Sequence, residues 1–293
     1  MNKVVFKSKL IYEPKKILMI IINRINHYFA EKNKKNFPQI ATFSFDHISL
    51  RINLEGRYEI DSLNIINEFI IDYLKVNKKG IALDIGANIG NHAIFFSEIF
   101  DKVYAFEPNP KAFKLLEINS FDYNIIPKNF GISDVNSKQN FKINSNIGGS
   151  HIIKNMRGRK DSNIIQIDVK KLDGLRELSK ETISLIKIDI EGHEINALNG
   201  GKKLILKSRP IILFEQTKNE ISDKSSKVIN LLRDWNYEFY IVEESYNFGE
   251  NIFYKFLSEL FKMIFGSRKV IKFTNNFKSI NYDMIIASPK KLD

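Results

Sequence analysis

Three groups of residues in this chain carry the means for chemistry. The first is Asp84-Ile85-Gly86-Ala87-Asn88-Ile89-Gly90-Asn91, which ends a short apolar run and opens a helical pattern at about Ile89. Glycine lets a backbone turn sharply and approach a ligand closely. Asp84, at the end of the apolar run, offers that ligand a carboxylate. The second is Glu107, 21 residues after Gly86, in Ala105-Phe106-Glu107-Pro108-Asn109-Pro110. Nucleoside-binding folds place an acid about 20 residues beyond the first glycine, at the tip of the second strand, where it accepts from the ribose hydroxyls. The third is Asp189, Glu191 and His193, at the end of the apolar run that begins at Ser184. A side chain there that accepts a proton from a hydroxyl contributes about 10²–10⁴-fold to its reaction.

The spacing also says which nucleoside is bound. A dinucleotide fingerprint needs a third glycine and a helix N-terminus free for pyrophosphate. Here the glycines are spaced Gly-x-x-x-Gly, and Asp84 stands where a pyrophosphate would be repelled. A sulfonium with an ammonium tail is cationic and suits that acid, so S-adenosylmethionine is the expected cofactor.

These groups need strands that end side by side. From residue 80 onward, β-rich runs at Ile81–Ile85, 102–106, 124–130, 184–190 and 210–214 alternate with helical patterns. Such alternation indicates a parallel sheet covered by helices on both faces. Two further strand candidates, 238–242 and 282–287, close the sheet as an antiparallel hairpin. The expected fold is a doubly wound α/β sheet that binds ligands at the carboxyl ends of its strands. The long link before the fourth run holds an extra hairpin near 139–143 and 164–169. Within it Gly148-Gly149-Ser150-His151 reads as a loop, with Ser150 and His151 as candidate acceptor contacts. Residues 14–29 and 59–75 read as helices, and 41–54 as two short strands.

Ahead of the fourth run stands Leu172-Asp173. That run ends Lys187-Ile-Asp189-Ile-Glu191-Gly192-His193-Glu194 and is followed by Ala197-Leu-Asn-Gly200, and Phe214-Glu215 closes the fifth. Together with Asp84-Ile-Gly-Ala-Asn-Ile-Gly90 and Phe106-Glu-Pro-Asn-Pro110, these motifs resemble FkbM-type methyltransferases over roughly residues 55–216. The resemblance implies a class I, Rossmann-like methyltransferase fold. It also implies methyl transfer to a hydroxyl, often on a sugar or a natural product, and here a sugar of a cell-surface glycan or glycolipid is expected. By position, Asp84, Gly86, Ala87, Asn88, Gly90, Asn91, Glu107 and Asn109 would line the cofactor, with Gly131 and Ile132 flanking its adenine. Glu215 joins Ser150 and His151 on the acceptor side.

The roles of the third group stay open at this level. Asp189 either acts as a base or holds the cofactor ammonium. Glu191 either acts as a base or caps a helix start. His193 is either a base or an exposed first-turn residue, and the second reading is favoured. Asp189, Glu191 and Glu215 would suit a hard cation, but the family does not require one and metal-free transfer is expected. The alternatives are a nucleic-acid or protein methyltransferase, an NAD-dependent oxidoreductase, and a non-catalytic Rossmann-like nucleotide-binding module.

The chain has 293 residues, no cysteine and a formal charge of +11. The lack of cysteine excludes disulfides, thiolate zinc sites and a cysteine nucleophile, and fits a reducing compartment. No apolar run approaches the ~20 residues of a membrane span. The apolar stretch 17–22 ends at Asn23-Arg24 without a small-residue cleavage site, so it does not read as a secretory signal. Residues 1–40 contribute +7 and residues 251–272 contribute +4, leaving the rest neutral. The expected organisation is a basic helical extension, 1–40, and a methyltransferase domain, 41–293. The domain comprises a cofactor half (80–135), an insert (136–170) and a basic amphipathic insert (250–272). Basic patches attract anionic lipid, phosphate or nucleic acid. The expected location is the cytoplasm, with docking at the inner membrane face as a peripheral option. Nucleic acid is a weaker expectation, because no dense aromatic-basic motif accompanies the charge.

Overall fold

A computed structural model describes residues 15–76, 80–144, 149–153, 163–244, 248, 251–266 and 269–289. They form two compact units, one of residues 15–39 and 43–60, the other of residues 40–42 and 61–289.

The first unit is helical. Helix α1 (Lys15–Lys34) packs with α2 (His47–Glu55), and the Asn33 side-chain amide donates to the Asn53 carbonyl at 2.8 Å. Two short strands were expected over 41–54, a stretch in which Ile48, Leu50, Ile52 and Leu54 alternate with other residues. The same residues also contain an i, i+4 pair, and that pair decides the outcome. Ile48 and Ile52 are buried while Leu50 is exposed. An Arg51–Glu55 ion pair at 2.9 Å spans one helical turn. Gly56 ends the helix in the left-handed region (φ +86°), donating its N–H to the Ile52 carbonyl.

The second unit is built on an eight-stranded sheet. It begins with α3 (Ile60–Val76), then β1 (Ile81–Ile85), α4 (Asn91–Ser97), β2 (Val103–Phe106), α5 (Pro110–Asn119) and β3 (Ile125–Lys128). Next come four short strands of a second sheet: β4 (Gly131–Ile132), β5 (Ser137–Lys142), β6 (His151–Ile152) and β7 (Ile164–Lys170). The main sheet resumes with β8 (Ile183–Ile188), α6 (Glu194–Gly200), α7 (Lys202–Ser208) and β9 (Ile211–Gln216). It closes with α8 (Lys227–Asp234), β10 (Glu238–Glu244), α9 (Ile252–Phe265), β11 (Lys269–Phe273) and β12 (Tyr282–Ser288).

The main sheet runs β11-β10-β12-β9-β8-β1-β2-β3. Strands β3, β2, β1, β8 and β9 are parallel, and β12 lies antiparallel between β9 and β10. This is the arrangement that the sequence resemblance implied. Strand order reverses between β1 and β8, so their carboxyl ends frame the crevice where such sheets bind ligands. The run 124–130, expected as one strand, divides. Its first part pairs with β2, and the chain then moves at Asn129-Phe130 to join the second sheet, ordered β4-β7-β5-β6. The basic insert is also two elements, α9 followed by the edge strand β11, which pairs with β10.

Burial explains the near-continuous apolar runs. Leu83, Ile85, Phe106, Ile186, Ile188 and Phe214 pack on one face of the sheet. Ala82, Ala105, Leu185 and Leu213 pack on the other, against Ala93, Ile94 and Phe96 of α4 and Leu63, Ile66 and Ile70 of α3. That second face has a polar last rung, and the site grows from it.

Candidate active site

The turn after β1 is shaped by three left-handed residues, Gly86 (φ +84°), Asn88 (φ +49°) and Gly90 (φ +94°). A β-carbon at Gly86 would lie 1.8 Å from the Asp189 carbonyl oxygen, so no other residue fits between β1 and the end of β8. At Gly90 it would meet the Leu116 side chain at 2.9 Å. Asn88 tolerates its backbone as asparagine does. Its N–H donates to Glu107 Oε2 at 2.9 Å.

Glu107 is buried at the tip of β2, and its other oxygen accepts from the Asn109 N–H at 2.7 Å. The Asn109 side chain caps α5 by accepting from the Lys111 N–H at 3.1 Å. Burial pushes the Glu107 carboxyl up to about 7; the two amides oppose that rise and the Asp84 charge adds to it.

Asp84 and Lys187 are paired in the β1–β8 register and sit on the same face. Both are buried. Lys187 Nζ lies 3.5 Å from Asp84 Oδ1 and donates to the Gly86 carbonyl and to Asp189 Oδ2, each at 3.2 Å. Burial pulls the lysine pKa down, but the Asp189, Asp84 and Glu215 carboxylates outweigh it and hold the ammonium charged. Both Asp84 carboxylate oxygens, Asn88 Oδ1 and Asn109 Nδ2 are buried with no hydrogen-bond partner among the described residues. Buried polar atoms left in this state are uncommon and mark places where a ligand completes the set.

Beyond β8 the chain makes a second left-handed turn at Glu191 (φ +52°) and Gly192 (φ +90°). Glu194, buried at the start of α6, accepts from the Gly192 N–H at 3.1 Å and the Ile190 N–H at 3.4 Å, and so holds the turn. A bowl of about 190 Å³ opens beside it, lined by Asp189, Glu191, Glu194, Glu215, Thr217 and Glu220. The residue Glu191 is exposed, yet its carboxyl is partly shielded in the bowl. That desolvation, with Asp189 and Glu220 adding, lifts it above the ordinary glutamate range, while the His151 imidazole opposes the rise. Burial likewise raises Glu194. Among the described residues no three side chains of metal-ligating type are grouped to hold an ion, Asp189, Glu191 and Glu215 included.

The expected residues divide into those gathered here and those placed elsewhere. Asp84, Gly86, Ala87, Asn88, Gly90, Asn91, Glu107 and Asn109 meet at the tips of β1 and β2, and Asp189, Glu191 and Glu215 meet at the bowl. His193, expected on an exposed first turn, is instead buried, with Nε2 2.9 Å from the Ser133 hydroxyl. Asp134 lies next to that pair and is held below the usual aspartate range, chiefly by the Asn196 side-chain amide. Ile132 packs into the core beside Leu172 and Ala197. Ser150 accepts from the Asn144 N–H at 3.2 Å, and His151 Nδ1 is 3.2 Å from the Gly149 carbonyl. Gly148 lies outside the described residues. Sequence reasoning missed Lys187, although a lysine on the inward face of a strand buried on both sides was a signal. It also missed Glu194 and Glu220.

Residues 84–239, more than half of the chain, match the family described as the methyltransferase FkbM domain. The chain belongs to the FkbM methyltransferase family. The match begins at Asp84 and takes in the β1 turn, Glu107, the β8–α6 turn and Glu215, so the site just described lies inside the family domain. A curated relative, the hexuronic acid methyltransferase AglP of Haloferax volcanii, is 34% identical over 122 residues. That stretch is 40% of this chain and 48% of the relative, so this FkbM-family chain matches about half the relative's length. Among solved structures, methyltransferase FkbM from Methylobacillus flagellatus KT aligns with 16% identity and a TM-score of 0.34, over 68% of this chain and 49% of that one. Precorrin-6y C5,15-methyltransferase from Geobacter metallireducens GS-15 aligns with 14% identity and a TM-score of 0.38, over 76% and 88%.

Proposed function

We propose that this FkbM-family chain transfers a methyl group from S-adenosylmethionine to a hydroxyl of a sugar in a cell-surface glycan or glycolipid, working in the cytoplasm. The observation that carries this reading is the double position of Asp189. Its backbone carbonyl is the surface against which Gly86 must fit, and its carboxylate lines the acidic bowl. Cofactor loop and bowl therefore share one residue.

The residues present fit the cofactor. Glu107 receives the ribose hydroxyls. Asp84 and Asp189 share the buried ammonium of Lys187, which leaves an excess of negative charge for a cation. The same excess disfavours the pyrophosphate of a dinucleotide. When bound, S-adenosylmethionine supplies a methyl group activated by its sulfonium.

On the acceptor side, the bowl offers five carboxylates to sugar hydroxyls and repels a phosphodiester, which disfavours nucleic acid as acceptor. Asp189 and Glu191 differ as bases. The Lys187 ammonium holds the Asp189 carboxylate, whereas Glu191 is shielded and raised, which suits it to accept the hydroxyl proton. Ser150, just ahead of β6, and His151, its first residue, contact the acceptor. The relative's name, a hexuronic acid methyltransferase, supports a sugar as the substrate class, and the acidic bowl favours an uncharged sugar hydroxyl over the carboxylate of an acid.

Calorimetry with S-adenosylmethionine and with NAD tests the first half of the reading, and binding of NAD alone would refute it. Incubation with methyl-labelled cofactor and extracted glycans, followed by mass spectrometry, tests the second half. Label recovered only in protein or nucleic acid would overturn the acceptor class.

A further inference from the structure

Asn119 ends α5 and joins two separate stretches of chain. Its side-chain amide donates to the Ile89 carbonyl at 2.8 Å and to the Ala41 carbonyl at 2.9 Å, and its oxygen accepts from the Ala41 N–H at 2.7 Å. Three of the four hydrogen bonds open to such a side chain are therefore filled. The opposite orientation would set the amide oxygen against two carbonyls, so the partners fix which way it points. Asn119 is buried, and removing a partner there leaves a polar group without water. Ile40, next to Ala41, packs on the apolar cluster that holds Ala87 of the cofactor turn and Leu116 of α5.

The place of the Ile89 carbonyl gives this clasp its meaning. The hydrogen-bond ladder of α4 starts one residue later, where the Gly90 carbonyl accepts from the Ile94 N–H at 2.9 Å. Ile89 thus lies ahead of the helix, between the left-handed residues Asn88 and Gly90 of the cofactor turn. Lys187 holds that turn at the Gly86 carbonyl, and Glu107 holds it at the Asn88 N–H. Both come from neighbouring strands. Asn119 is a third hold, and it grips the turn and the Ile40–Thr42 segment with one side chain. The segment belongs to no helix or strand, so its release would break no sheet pairing.

We propose that Asn119 is a positioning residue that couples the Ile40–Thr42 segment to the cofactor turn. With the segment docked, the amide stays oriented toward Ile89 and the turn keeps the shape that binds the cofactor. Coupling between two such events is reciprocal, so bound cofactor favours docking in its turn. The proposal rests on the reading of the β1 turn as an S-adenosylmethionine site.

The test is calorimetry with S-adenosylmethionine on the full chain, as wild type, Asn119→Asp and Ala41→Pro. Asn119→Asp keeps the oxygen that accepts from the Ala41 N–H and sets a second oxygen against the Ile89 and Ala41 carbonyls. Ala41→Pro removes only the Ala41 N–H and leaves the Asn119–Ile89 bond in place. Cofactor affinity should fall about tenfold or more in the first variant and about threefold or more in the second. Hydrogen exchange of the wild-type peptide 39–43 should slow when the cofactor is added, and this slowing should vanish in Asn119→Asp. A wild-type chain that binds no S-adenosylmethionine overturns the reading of the site and this proposal with it. If the wild type binds, wild-type affinity in Asn119→Asp, even at a lowered melting temperature, assigns the residue to the fold and overturns the proposal alone. Wild-type affinity in Ala41→Pro separates the segment from the turn and has the same effect. So does exchange that the cofactor leaves unchanged, a measurement that needs no substitution and decides the matter even if a variant fails to fold.

Discussion

Lys187 Nζ and Asp84 Oδ1 lie 3.5 Å apart as register partners on β8 and β1, on a sheet face whose preceding rungs, Ala82 and Leu185, are hydrocarbon. Charges in such a place lose their hydration, and pairing recovers that loss only in part. A chain selected for stability alone would fill this rung with apolar side chains. The pair is better understood as part of the site. The ammonium ties the Gly86 carbonyl of the cofactor turn to the Asp189 carboxylate at the bowl.

The first prediction follows from that tie. Lys187→Met leaves Asp84 and Asp189 without their shared counter-charge. It should destabilise the fold by about 3–5 kcal/mol, the range for breaking a buried pair by removing one partner. Adding Asp84→Leu should recover a substantial part of the loss, because the charge left behind goes with it. Denaturant unfolding of the two single variants and the double variant measures the coupling. Additive losses would show that the two side chains do not depend on each other.

Glu107 sets stability against binding. Its carboxyl holds a proton up to about pH 7 in the fold, against 4.5 in an unfolded chain. The folded state therefore binds more protons between those values. Stability is full below about pH 4.5 and declines as pH rises through 7, by up to about 3 kcal/mol. Glu107→Gln removes that decline. The cofactor-free variant should melt higher than wild type at pH 8 and about the same near pH 4.5. Its affinity for S-adenosylmethionine should fall by about 1–3 kcal/mol through poorer pairing of the ribose hydroxyls. Wild-type binding should release protons near pH 7, read by calorimetry in buffers of different ionisation enthalpy. A variant no more stable at pH 8, or one that keeps wild-type affinity, would contradict this account of Glu107.

How much of this could be read from the residues depends on the range of the signal. The Gly86 turn and Glu107 were legible because their demands are local: a left-handed backbone, a strand tip and a fixed spacing. The parallel sheet was legible from runs of buried residues. Lys187 was obscured by its own strand, where Ile186 and Ile188 set the pattern and only a tertiary neighbour, Asp84, gives the charge a purpose. In α9 the periodicity of Phe253, Phe256, Leu260 and Ile264 established a helix and a stripe, but periodicity has no sign. It could not say that Ser258 would be buried while Phe253, Phe256 and Ile264 stay exposed. In α2 the alternation of Ile48, Leu50, Ile52 and Leu54 fits two periods equally, and only packing of Ile48 and Ile52 chose between them. His193 reads as solvent-facing until Ser133, sixty residues away, is placed beside it.

Glu191 should separate chemistry from fold. Glu191→Gln keeps the shape of the side chain and removes its ability to take a proton. Turnover should fall by about 10²–10⁴-fold. Affinity for S-adenosylmethionine and the melting temperature should change little. The raised pKa predicts that wild-type kcat climbs with pH along a limb above the ordinary glutamate range, and the variant should lose that limb. Glu191→Gly offers a second check. A left-handed φ of +52° is costly for glutamate and free for glycine, so this variant should be inactive yet more stable by about 1 kcal/mol. Full activity in either variant would move the base elsewhere, with Asp189 next in line.

The last prediction concerns His151, the one candidate acceptor contact whose charge is felt at the proposed base. Its imidazole counteracts the rise in the Glu191 carboxyl, which places the β6 strand within electrostatic reach of the bowl. Two effects should follow from His151→Ala. The KM for the glycan acceptor should rise while the affinity for S-adenosylmethionine stays constant, because the cofactor turn is built from β1 and β2. The limb of the kcat profile assigned to Glu191 should also move to higher pH, since the imidazole that opposes the rise of its carboxyl has been removed. Ser150→Ala removes only the oxygen that accepts from the Asn144 N–H and should alter KM without moving the limb. A purely structural role for β6 would lower the melting temperature in both variants and leave the pH profile fixed. A profile unchanged in His151→Ala would therefore separate β6 from the chemistry, even if KM rises.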